Sequence, residues 1–172
     1  MSMSEIIAAI IGAIFTVLAV FIAYWLSSRQ AHVDRLTTKL EDLQIALSES
    51  RTANDGRFRK AREMVLSPPA PTADPTEYVY LSRDMPLERR VTIYVDTYFQ
   101  TLRSRRKELL EQNIPWVDIF HRFSEGKPVR IAEVLSAHLG TRDAIDGFEA
   151  KLLHCRADLV KGRHAAIADE AT

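Results

Sequence analysis

IIAAIIGAIFTVLAVFIAYWL, residues 6–26, runs for twenty-one positions without a charged side chain. One helix of that length crosses the ~30 Å hydrocarbon core of a bilayer. A cleavable secretory signal needs a basic start, an apolar core of about 7 to 15 residues and a small-residue exit. Met1 to Glu5 carry no Lys or Arg, the run is longer, and it closes on the bulky Tyr24 and Trp25. The sequence therefore predicts a retained anchor whose exit is marked by rings that prefer the headgroup level.

Cations flanking a span stay on the cytoplasmic side. Residues 1–5 have none, whereas Arg29, Arg35 and Lys39 follow the span. The predicted topology is N-terminus out and C-terminal part in the cytoplasm, in a cell inner membrane. Inside the span Ala8, Gly12 and Thr16 recur every fourth residue, with Ala9 and Ala13 beside them. Small residues at that spacing let two backbones approach in lipid, so self-association of the span is one reading and the ordinary abundance of Ala and Gly in such helices the other.

Outside the span the chain is polar. Its 23 basic and 23 acidic residues cancel, and seventeen of the basic ones are Arg. That balance argues against wholesale coating of nucleic acid, which makes nucleic acid an unexpected partner. The single cysteine, Cys155, rules out an intramolecular disulfide or a cysteine-based zinc site within this chain. Ile145, Phe148, Leu152, Cys155 and Leu159 share a helical face, which predicts a buried thiol.

Beyond the membrane, residues 27–66 are expected to form a helical stalk. Leu36, Leu40, Leu43 and Leu47, preceded by Val33, alternate steps of three and four. This is a heptad seam that wants a partner helix: a second copy in a short coiled coil, or the protein's own domain. The apolar pattern fails at Ser50 and Asn54, and Asp55-Gly56 reads as a break. Pro68, Pro69, Pro71 and Pro75 predict a semi-rigid linker over 67–77.

Residues 78–162 are expected to be a small α-helical domain, since several amphipathic helices with short loops must bury their stripes together. Tyr78–Leu81 is a short extended piece. The first helix opens at Asp84-Met85-Pro86 and runs to about Gln112. The second restarts at Pro115, the third lies between Pro128 and Gly140, and Thr141 caps the fourth. Trp116, Phe120 and Phe123 form an aromatic stripe, read as core or as a partner surface. Residues 163–172 are expected to be a frayed tail. The fold class is thus all-α: one membrane helix, a juxtamembrane helix and a cytoplasmic bundle.

No paired metal spacing, Gly-rich phosphate loop or nucleophile elbow occurs, so no catalytic, cofactor or metal residues are assigned. Two basic clusters, Arg57/Arg59/Lys60/Arg62 and Arg103/Arg105/Arg106/Lys107, read either as polyanion contacts or as charge pairs with the many acids that follow. In segment order the chain resembles bacterial single-pass membrane proteins that have a short charged helix and a small helical cytoplasmic domain. That resemblance implies no activity and no site residues. The expected role is a non-enzymatic, membrane-anchored interaction or scaffold protein whose partners are the bilayer, copies of itself and an unidentified protein. The alternatives are an envelope coiled-coil stalk of opposite topology, as in cell division, and an enzyme whose carboxylates the fold gathers.

Overall fold

The computed structural model describes residues 3–67 and 85–161, and all regular structure among them is helical. The Pro-rich linker after Ser67, the Tyr78–Leu81 piece, the Asp84 cap and the tail from Arg163 lie outside the described residues. The helices are α1 (Met3–Leu66), α2 (Met85–Tyr98), α3 (Arg103–Ser124) and α4 (Ile131–Val160), with a 3-10 turn at Gln100–Leu102 between α2 and α3. The chain divides into two compact units, Met1–Thr38 and Lys39–Thr172.

In the first unit, α1 exposes every described side chain from Ile11 to Leu26, Phe15 and Phe21 to about two-thirds. An 18-residue window there reaches a mean hydropathy of 2.0 with none of it buried, so α1 is long and apolar enough to cross a membrane. Thr16 Oγ1 donates to the Gly12 carbonyl at 2.9 Å, which returns its hydroxyl to its own backbone.

The second unit begins at Lys39, and residues 39–66 are its first helical segment. Residues 39–66 thus belong to one compact unit with the helices from Met85 onward, where the sequence set 27–66 apart as a stalk. Leu40, Leu43, Leu47, Asn54, Arg57, Ala61 and Met64 are all buried. With the half-buried Ser50 they keep the alternation of three and four to the end of the helix. The seam therefore does not stop at Ser50: it changes from apolar to polar chemistry and continues. Asp55-Gly56 makes no break, because packing on both sides of it outweighs the ~1 kcal/mol that Gly costs a helix.

α4 carries the matching face. Val134, Ala137, Thr141, Ala144, Phe148, Leu152, Cys155 and Leu159 are buried at steps of three and four, from which the side chains of antiparallel helices interdigitate. Gly140 and Thr141 lie inside α4, correcting the expected stop and restart. A Cβ at Gly140 would sit 2.5 Å from Gln112 Oε1, and Thr141 Oγ1 donates to the Gln112 carbonyl at 2.9 Å. The pair marks a close crossing of α3 and α4.

α2 ends sooner than expected. Phe99, with φ −135° and ψ 63°, leaves helical geometry, and the 3-10 turn then lets Val95, Phe99 and Leu102 all enter the core. Pro115 sits inside α3 without ending it, since Leu109 before it and Trp116, Ile119 and Phe120 after it belong to one buried face. α3 closes on Gly126 at φ 66°, where Lys127 N–H donates to Arg122 O at 2.8 Å and Gly126 N–H to Phe123 O at 3.0 Å. That pair of bonds is the Schellman motif, which favours glycine at the left-handed position.

Candidate functional site

The most organised polar site of the second unit lies where α1, α3 and α4 meet. Asn54 is 1% exposed. Its Oδ1 accepts from Trp116 Nε1 at 3.0 Å, and its Nδ2 donates to the His138 carbonyl at 3.1 Å and lies 3.1 Å from His138 Nδ1. An indole N–H can only donate, so the amide orientation is fixed, and His138 Nδ1 must accept. The ring proton then sits on Nε2, 3.9 Å from Asp55 Oδ1. Phe58 stacks on the imidazole at 4.5 Å between centroids. Every polar atom of the asparagine is thereby used, which is what a buried polar network must achieve to hold three helices in one register.

Beside this node α1, α2, α3 and α4 enclose a cavity of about 20 Å³, lined by Arg57, Glu88, Arg106 and Asn113 among apolar neighbours. Arg57 is buried and donates to Asn113 Oδ1 at 3.2 Å. Arg106 pairs with Asp96 through its terminal nitrogen, while its buried Nε has no partner among the described residues. A space of this size admits about one water molecule, which would satisfy such a donor.

The second basic cluster is spent within the fold. Arg103 and Arg106 both pair with Asp96, Arg105 pairs with Glu108 at 2.7 Å, and Lys107 lies 3.7 Å from Glu111. Across the surface Arg51 bridges Asp146 and Glu149 at 2.5 and 2.8 Å, tying α1 to α4. At the start of α4, Glu133 accepts from Arg122 at 2.5 Å and from the Arg130 backbone N–H at 3.0 Å, and these contacts hold its carboxyl below the usual range.

Nucleophilic catalysis needs a nucleophile beside a base. Cys155 is buried 3.9 Å from Thr101 Oγ1, and burial pushes its thiol up, away from the reactive thiolate. The neighbouring His154 turns to Asp158, 3.7 Å away, and His121 to Glu125 at 3.6 Å. Among the described residues no group of three or more His, Cys, Asp or Glu is placed to hold a metal ion.

Of the residues singled out in the sequence, Leu36, Leu40, Leu43 and Leu47 are buried within a single chain. Trp116 and Phe120 are fully buried, 6.0 Å apart between ring centroids, and the half-buried Phe123 packs on the same cluster. Gly12 and Thr16 lie on α1, Gly12 with open space where a Cβ would be, and the side chain of Ala8 lies outside the described residues. The sequence flagged Asn54 only as a polar residue in an apolar seam. Its partners, 62 and 84 positions further on, carry no local signal that links them to it. The chain matches no protein-family model, no curated protein and no solved structure.

Proposed function

We propose that this protein is a non-enzymatic, membrane-anchored interaction module, in which residues 6–26 cross the inner membrane and the helical unit from Lys39 stands on the cytoplasmic side. One observation carries the reading: Ile11–Leu26 of α1 exposes large apolar side chains on every face, while further along the same helix, between Leu40 and Met64, Leu40, Leu43, Leu47 and Met64 are buried and Ile45 alone of the large apolar side chains stands exposed. A contiguous apolar surface of that extent is costly in water and favourable in lipid. The orientation rests on Arg29, Arg35 and Lys39 following the span, where residues 1–5 carry no Lys or Arg. Because Leu40, Leu43 and Leu47 are already covered within one chain, self-association is assigned to the span, through the side bearing Gly12 and Thr16. The non-catalytic reading is supported by the charged residues that pair across the helical unit, such as Arg51 with Asp146 and Glu149 and Arg103 with Asp96.

Paired C-terminal fusions test this in intact cells, together with alkaline carbonate extraction of membranes. The expected result is a protein retained in the membrane pellet, a fluorescent cytoplasmic reporter and an inactive phosphatase. Release by carbonate would overturn the anchor. An active phosphatase would overturn the orientation and favour an envelope stalk.

A further inference from the structure

The guanidinium of Arg29 lies 5.5 Å from the centroid of the Trp25 ring. Side chains of a helix lean toward its N-terminus, so an arginine four residues past the tryptophan folds its charge back by one turn. The charge is then held at the level of the ring instead of ~6 Å beyond it, at 1.5 Å per residue. A cation over an aromatic face is attracted to the ring while its N–H edges stay free to donate. Trp25 is 53% exposed and Arg29 is exposed as well.

The nearest acid downstream faces elsewhere. Asp34 is five residues on, about 140° round the helix, and accepts from Gln30 Nε2 at 2.9 Å. Among the described residues no carboxylate pairs with Arg29. The arrangement is an oriented cation with unused donors, placed at the depth of an aromatic belt, where the oxyanions available are lipid phosphates.

We infer that Arg29, held over Trp25, is a binding site for the phosphate of an anionic phospholipid headgroup. The inference rests on the membrane reading above. A phosphodiester offers the planar guanidinium two oxygens to accept its paired N–H groups. In a zwitterionic lipid the attached cation offsets that charge, and in an anionic lipid it does not. The preference expected from one cation near the surface is about fivefold in local lipid fraction.

The test uses the full chain reconstituted in phosphatidylcholine vesicles that contain a fixed fraction of brominated lipid, either phosphatidylcholine or phosphatidylglycerol. Bromine quenches tryptophan at short range, and Trp25→Phe supplies the Trp116 background. Brominated phosphatidylglycerol should quench Trp25 as though enriched about fivefold around it, and Arg29→Gln should make the two lipids equal. Equal quenching in the unmodified chain, or a bias that survives Arg29→Gln, overturns the lipid site. Loss of the bias on adding inorganic phosphate, but not chloride of the same ionic strength, assigns the site to a free oxyanion and overturns it too. Absence of quenching by either lipid contradicts the membrane reading itself.

Discussion

Trp116 donates its indole N–H to Asn54 Oδ1 at 3.0 Å, at a place where both side chains are shut off from solvent. Replacing Asn54 with leucine keeps the volume but leaves the Trp116 N–H and His138 Nδ1 short of a partner. The expected loss is about 1–3 kcal/mol for each buried group so stranded. Thermal denaturation followed by circular dichroism in detergent measures it. An unchanged melting temperature would show that water replaces the asparagine without penalty.

Leu40→Asp combined with Leu43→Asp places two carboxylates where the native side chains are 1% and 0% exposed. The cost should reach at least ~5 kcal/mol, comparable with the whole stability of a small domain. The helical unit should therefore melt. If copies instead separate on crosslinking while the melting temperature holds, the seam serves association between chains.

Two glycines should respond in opposite directions to alanine. Gly56 lies inside α1 with nothing within 4 Å of a built Cβ, so Gly56→Ala should stabilise by about 0.5–1 kcal/mol. Gly126 holds φ 66°, and Gly126→Ala should cost about 1–2 kcal/mol. Matched melts of the two variants decide the point; the same sign in both would contradict the helix assignment at 56 or the turn at 126.

Glu133 gives a signed pH dependence. Its folded carboxyl is lowered from 4.5, first by the Arg122 guanidinium and then by the Arg130 backbone N–H. A depressed carboxyl contributes stability that is fully present above the unfolded value and is lost as pH falls through the folded one. The melting temperature of the native chain should thus drop more steeply below pH 4.5 than that of Glu133→Gln. Parallel acid profiles would remove this ion pair from the acid response.

Cys155 should react slowly with an aromatic disulfide reagent at neutral pH and quickly once the chain is denatured. Burial raises its thiol pKa and blocks access. Equal rates in the two states would place the thiol on the surface.

The periodicities in the sequence were enough to show helices and their buried faces: the Leu40–Leu47 seam, the Trp116–Phe120 stripe and the Cys155 face all lie where the three-and-four pattern puts them. Helix ends were less legible. Gly56, Pro115 and Gly140 are local stop signals whose cost of about 1–3 kcal/mol is outweighed by packing on either side. Conversely, nothing in the local pattern at Phe99 marks the end of α2, since the gain there is the burial of Phe99 and Leu102 together. The Asn54 node was illegible for another reason: a heptad position reports that a side chain faces inward, and says nothing about which distant donor will meet it.

The separation of 84 positions between Asn54 and His138 also imposes an order in time. At roughly 5–20 residues per second a ribosome needs about 4–17 s to pass from one to the other. Throughout that interval the newly made Leu40–Met64 face has no α4 to cover it. The nascent chain is thus in greatest need of a chaperone's shelter between its first helix and its last, and a premature stop before Val134 would leave a sticky, uncovered helix for quality-control proteases to clear.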